Sequence, residues 1–177
     1  AGALHREVRE TRVRSFGADD PASLESTEAL ATVLNDLARN DEAGILLGEV
    51  LEARERTMPA EAPEVLRVAG QMATVLSRTQ RFHDAEVLYR RVLAAQRRTL
   101  GEDHPETLRV MNALGWLYVL MGRDGEAESI FRETLEVAVR VLGRDHQQTV
   151  VCLGNLGFLL GDIGRLDEDG YLFLTDR

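Results

Sequence analysis

A fixed stride of 42 residues runs through this chain and constrains its fold more than any other feature. Pro21, Pro63 and Pro105 stand 42 residues apart, and Gln147 takes the next place. Arg39, Arg81, Arg123 and Arg165 keep the same step. So do Ala1, Ala43, Ala85 and Ala127, a series that breaks at Asp169. Three independent series with one spacing define a repeat, and each unit of such a repeat must stack on its neighbours to bury its apolar face.

The apolar positions set the type of unit. Leu24, Leu66, Leu108 and Val150 open one segment, and Leu30, Met72, Leu114 and Leu156 follow six residues later. Each of the latter is followed by a small residue (Ala31, Ala73, Gly115, Gly157), then by Leu34, Leu76, Tyr118 and Leu160. Offsets of three, four and seven residues make a helical stripe, not the alternation of a strand. The small residue leaves room for a neighbouring helix to come close.

A second segment carries Ala43, Leu46, Leu47, Val50 and Leu51. It recurs as Ala85, Leu88, Tyr89, Val92 and Leu93, and again as Ala127, Ile130, Phe131, Thr134 and Leu135. Polar turns such as Gly122-Arg123-Asp124-Gly125 separate the two segments, and loops such as Gly101-Glu102-Asp103-His104-Pro105 separate the units. Glycine past a helix end and proline at the next helix start are the expected stop and start signals.

The pattern predicts an all-α solenoid of stacked helix–turn–helix units. Helices of the first kind, A, are expected near 22–38, 64–79, 106–121 and 148–163. Helices of the second kind, B, are expected near 41–57, 83–99 and 125–141, with partial ones at 1–15 and from about 167. Residues 1–177 then form a single array: a partial repeat over 1–15 with helix B only, full repeats over 22–57, 64–99 and 106–141, and a last repeat over 148–177 with an atypical or truncated helix B. His5 and Arg9 replace the apolar residues seen at Leu47 and Leu51, and Asp169 stands where a packing alanine belongs. Both ends read either as polar caps or as cuts through a longer array.

Composition narrows the function. No stretch approaches the roughly 20 apolar residues of a membrane span, and nothing near Ala1 resembles a signal peptide. The single cysteine, Cys152, rules out an internal disulfide and fits a reducing compartment. A soluble, cytoplasmic protein without a membrane role is expected. The 30 acidic residues outnumber 21 basic ones, giving a net charge of −9, and every basic residue is arginine. A chain so acidic, without a basic run, is a poor ligand for nucleic acid, whose binding depends on neutralising phosphates. The absence of lysine favours a GC-rich, bacterial origin. Charge is uneven along the chain, and Arg90, Arg91, Arg97 and Arg98 on one B helix read as a solvated face or as a surface for an acidic partner.

No chemistry asks for catalysis. The sequence holds no HExxH, no CxxC pair and no phosphate-binding glycine loop. Of the four histidines (His5, His83, His104 and His146), His104 and His146 recur with the stride inside the loop between units, as turn and cap residues rather than metal ligands. No enzyme activity, cofactor or metal is expected.

The residues quoted above resemble tetratricopeptide repeats of the longer, 42-residue variety found in kinesin light chains and many bacterial signalling proteins. The resemblance rests on Leu100-Gly101-Glu102-Asp103-His104-Pro105-Glu106-Thr107-Leu108, on Asn112-Ala113-Leu114-Gly115-Trp116-Leu117-Tyr118, and on Gly122-Arg123-Asp124-Gly125-Glu126-Ala127-Glu128-Ser129-Ile130-Phe131. It implies a right-handed superhelix whose A helices line a concave groove, and a non-catalytic scaffold for a protein or peptide. The alternative is a self-associating or structural module of a larger bacterial signalling protein, hence a homo-oligomer.

Carrying the groove positions over residue by residue makes Arg67, Thr74, Arg78, Arg109, Asn112, Trp116, Val119, Asn155 and Phe158 the candidate partner-binding residues. The same map offers Glu25, Glu28, Thr32, Asn35 and Asp36 in the first unit, with Leu120, Val151, Gly154 and Gly161 further on. Trp116 reads as a binding anchor or as filler between adjacent A helices, with Phe158 extending an apolar shelf. The arginines would hold carboxylates through their planar fork of donors, or Arg67 would pair with Glu25 or Glu28. In the relatives, asparagines near Asn112 and Asn155 hydrogen-bond an extended peptide. In this map the groove runs from acidic through basic to apolar.

Overall fold

The computed structural model describes residues 2–161, which form eight α-helices. The A helices are α2 (Pro21–Asp36), α4 (Pro63–Arg78), α6 (Pro105–Leu120) and α8 (Gln147–Leu159). The B helices are α1 (Gly2–Phe16), α3 (Asn40–Thr57), α5 (Phe82–Thr99) and α7 (Asp124–Leu142). From α2 to α8, each helix begins one residue before the place the pattern gave it. The expected B helix from about 167 lies outside the described residues.

Local chemistry explains the boundaries. The loops deliver one residue per repeat to the N-cap of an A helix: Asp20, Ala62, His104 and His146. Asp20 Oδ1 accepts the Ala22 amide at 2.9 Å. His104 Nδ1 accepts that of Glu106 and His146 Nδ1 that of Gln148, both at 3.2 Å. Each side chain satisfies one of the orphan donors at a helix start. The recurrent histidines are therefore caps. Ala62 has no side chain that can do this.

A and B helices are joined by one turn used three times. Ala38, Gln80 and Gly122 adopt φ of 58°, 62° and 69°. The next amide then bonds back across the turn, Arg39 N to Leu34 O, Arg81 N to Leu76 O and Arg123 N to Tyr118 O, at 2.8 to 2.9 Å. This left-handed closure satisfies the last carbonyls of the A helix. The arginine series acquires a purpose here, since Arg39, Arg81 and Arg123 each precede a B helix and pair with the acid three residues on. Arg39 bonds Glu42 at 2.6 Å, Arg81 bonds Asp84 at 2.8 Å, and Arg123 bonds Glu126. The acids also sit at the helix end that favours negative charge.

The chain divides into two compact units, Ala1–Val92 and Leu93–Arg177, with the boundary inside α5. In the first, α1 packs on α2, α2 on α3 and α3 on α4. Its core is built from Leu24, Leu30, Ala31, Leu34, Ala43, Leu47, Val50, Ala53, Val68 and Val75. A leucine buried to this degree contributes roughly 1.5–3 kcal/mol. In the second unit α6 packs on α7 and α7 on α8, around buried Leu108, Met111, Leu114, Leu117, Phe131 and Leu156. The alanine series marks the closest packing, for Ala43, Ala85 and Ala127 are fully buried.

Packing departs from the pattern at α1. None of its described residues is buried, and Leu4 and Val8 face solvent although they keep the B-helix register. Polar bonds hold it instead. Arg9 donates to Thr27 Oγ1 at 3.1 Å and to Glu49 at 3.0 Å, and Arg12 donates to the Ala22 carbonyl at 2.9 Å.

Candidate partner-binding surface

In the first unit the candidate residues lie on α4, and each is already engaged within the protein. Arg67 forms an ion pair with Glu28 of α2. Glu28 does not line an open surface, contrary to the map drawn from the resemblance. It is buried, with its carboxylate 3.3 Å from Arg54 of α3 and both side chains only 6% exposed. A carboxylate taken out of water needs such a partner, and α3 supplies it. Nothing in the local sequence announced Arg54, because its role depends on the crossing of α2 and α3.

Thr74 bonds the Gly70 carbonyl at 3.1 Å and lies 2.8 Å from the Tyr89 hydroxyl, tying α4 to α5. Arg78, an exposed residue, donates to the carbonyl and the side-chain oxygen of Asn35 at 3.0 and 3.2 Å. It thereby clips the end of α4 to that of α2. Of the two arginines here, Arg67 is neutralised by Glu28, while Arg78 meets only neutral oxygens.

The second unit brings the remaining candidates together on α6 and α8. Asn155 donates to Asn112 Oδ1 at 3.1 Å, and Asn112 Nδ2 lies 3.4 Å from the Cys152 sulfur. Burial pushes the Cys152 thiol above its ordinary value, with the Asn112 contact opposing the shift. The asparagines therefore satisfy one another across the two A helices.

One turn further along α6, Trp116 stacks against Phe158 of α8, with ring centres 5.2 Å apart and planes tilted by 48°. Its other side meets Phe131 of α7 edge-on at 5.9 Å. Phe158 is 50% exposed, and Leu120 and Val151 of the same helices are exposed as well. Val119 is half-buried, and Arg109 is bound to Glu106 of its own helix at 2.6 Å. Two of the three candidate arginines are thus paired with acids, so the basic middle of the expected charge gradient is largely neutralised.

The sequence pointed to Trp116 and Phe158 but not to the ring beneath them. Phe131 fits because Gly115 leaves it space: a Cβ at Gly115 would lie 2.7 Å from Phe131 Cδ1. The signal was present as a small residue in one stripe opposite a large aromatic in the next. The arginines of α5 are also engaged. Arg91 bonds Glu55 at 2.6 Å, Arg90 bonds Glu86 at 2.9 Å, and Arg97 pairs with Glu133.

Among the described residues no group of three or more His, Cys, Asp or Glu side chains is placed to hold a metal ion. No described helix is long and apolar enough to cross a membrane.

Helical hairpins capped and closed in this recurrent way define an all-α solenoid of stacked helix–turn–helix repeats. Residues 64–138 match the tetratricopeptide repeat family. A Podosopora anserina kinesin light chain with nearly identical TPR-like repeats has the same fold. It superposes with a TM-score of 0.79 and 22% identity, covering 90% of this chain and 76% of that one. A glutamine-to-methionine variant of it gives 0.81 at the same identity and coverage. BtubC (BKLC) from P. vanneervenii gives 0.68 at 19% identity, over 99% of this chain and 76% of that one. None of the curated proteins matches.

Proposed function

We propose that this chain is a non-catalytic interaction module that binds a peptide or partner protein on its A-helix faces. Tetratricopeptide repeats mediate protein–protein interaction, and residues 64–138 carry that signature. The observation that carries the reading further is the pairing of Trp116 with half-exposed Phe158, continued by Leu120 and Val151. Exposed aromatic groups held rigidly from below lose little entropy on binding and make effective anchors. Asn112 and Asn155 lie beside this shelf on the same two helices, bonded to each other, and would offer amide groups to an extended backbone once that bond is exchanged. On α4, Thr74 and the exposed guanidinium of Arg78 offer polar contacts, as Arg67 and Arg109 do once released from Glu28 and Glu106. The all-arginine basic set and the lone cysteine support a working place in a bacterial cytoplasm, as one segment of a signalling protein.

The test uses Trp116 as its own reporter, since it is the sole tryptophan. Peptides selected from a random library against the intact chain are titrated while tryptophan emission is followed. Phe158→Asp, an exposed substitution, should abolish the emission change and weaken binding about tenfold or more. Arg78→Ala should weaken it less. Unaltered affinity in Phe158→Asp, with helix content unchanged by circular dichroism, would overturn the assignment of this surface.

A further inference from the structure

Two B helices, α1 and α3, both pack on α2, and the seam between them holds two crevices. The stride accounts for the opening. Where α3 carries Leu47 and Leu51, α1 carries His5 and Arg9, so α1 reaches α3 through long polar side chains. Arg9 meets Glu49 at 3.0 Å and Arg6 meets Glu42 at 3.9 Å. The Arg9 bridge, bonded as well to Thr27 of α2, divides the seam. One crevice, of about 210 Å³, lies between Arg9, Val13 and Glu52 over Leu24, Thr27 and Val50. The other, of about 250 Å³, lies between Arg9, Glu10 and Ile45 over Leu30, Leu34 and Leu46. Walls and floor all belong to the first compact unit.

Charge decides what such a seam can accept. Its arginines are all committed, Arg6 to Glu42, Arg9 to Glu49 and Arg56 to Asp19. Glu10 and Glu52 are exposed at the crevices and have no hydrogen bond or ion pair among the described residues. The uncompensated charge is therefore negative in both crevices. The second crevice adds apolar surface, with Ile45 on its rim 65% exposed and leucines as its floor. Ile45 and Glu52 are seven residues apart on α3, or about 10 Å along the helix. A polyproline II segment advances about 9 Å in three residues and returns side chains to the same side with that period.

We propose that the α1–α3 seam binds a basic, extended peptide segment of a partner protein. An apolar side chain of the segment enters the second crevice beside Ile45, over Leu30, Leu34 and Leu46. A basic side chain three residues on reaches Glu52 in the first crevice, and a basic neighbour of the apolar residue reaches Glu10. The existing ion pairs of the seam stay intact, so the segment brings cations only to the two free carboxylates. A peptide fits better than a small cation because the leucine floor calls for an apolar group as well as charge. With exposed charges and a short contact, binding is weak and salt-sensitive. The seam lies on the B-helix side of the first unit and owes nothing to the aromatic shelf of α6 and α8.

The test is amide NMR of the 177-residue chain titrated with the peptide Gly-Arg-Leu-Pro-Pro-Arg-Gly up to about 5 mM, a ceiling suited to a contact of so few groups. Shifts should cluster on residues 6–13 and 45–56 and shrink as salt is raised. Glu10→Arg and Glu52→Arg should each weaken binding about two- to fivefold, and Ile45→Asp at least as much. A peptide with glutamate in place of both arginines should bind the doubly reversed chain better than it binds the original. All three positions are exposed, and circular dichroism verifies folding. Phe158→Asp should leave this binding unaltered, which separates it from the shelf on α8. No shift at the highest concentration, shifts centred elsewhere, or equal shifts from the glutamate peptide overturn the proposal. So does spermidine binding the seam as tightly as the peptide, which would make it a site for cations alone.

Discussion

A single methyl group added at Gly115 sets two effects of opposite sign against each other. Gly115 lies inside α6, where glycine costs roughly 0.8–1 kcal/mol relative to alanine. Gly115→Ala should recover that amount if nothing obstructs the new Cβ. The Phe131 ring obstructs it, with Cδ1 at 2.7 Å and Cζ at 2.8 Å from the Cβ position. Phe131 is fully buried and is held edge-on by Trp116, so it cannot step aside without disturbing the stack. Overpacking of this kind costs about 1–3 kcal/mol. The net expectation is a loss of about 0–2 kcal/mol. The assay is urea denaturation followed by Trp116 emission, which reports on the unit containing α6 to α8. Gly154→Ala in α8 is the matched control, because a Cβ there meets nothing within 4 Å. It should gain about 0.5–1 kcal/mol. Phe131→Leu in the Gly115→Ala background should recover part of the loss, since the two residues share one volume. If Gly115→Ala stabilised the protein as much as Gly154→Ala does, the close approach of α6 and α7 would not be what retains the glycine.

Further outcomes follow from other parts of the structure. Ala38 and Gln80 hold the left-handed turn position that Gly122 holds without strain, so Ala38→Gly and Gln80→Gly should each raise stability by roughly 0.5–1 kcal/mol in chemical denaturation. A loss on either change would refute the turn argument. Ala62→Ser supplies the missing N-cap of α4 and should add about 0.5–1 kcal/mol, visible as a higher melting temperature. Glu28→Ala leaves the Arg54 guanidinium buried without its carboxylate and should cost about 3–5 kcal/mol, whereas a change below 1 kcal/mol would show the pair to be open to water. Cys152 is buried with its thiol pKa raised by burial, so iodoacetamide should label it only after denaturation. The folded state holds the thiol proton more tightly, so the associated stability is intact at neutral pH and declines as pH rises past the ordinary thiol value.

What the sequence determined by itself is everything set by neighbours along the chain. The stride, the helical type of every described segment and the helix starts follow from i, i+3 and i+4 spacing, from Pro21, Pro63 and Pro105, and from turn glycines such as Gly122. Those signals act within one or two turns of helix, where sequence distance and spatial distance coincide. Trp116 and Phe158 were recognisable as neighbours for the same reason, since the stride carries a position on α6 to its counterpart on α8. Tertiary structure alone decided which polar groups are free. Glu28 is buried against Arg54 and joined by Arg67, Asn112 is occupied by Asn155, and Phe131 lies under Trp116. Each of these partners comes from another helix, and its arrival depends on how closely two helices cross. A register gives the side of a helix on which a residue lies. Only packing determines what meets it there, and therefore whether its charge or ring remains available to a partner.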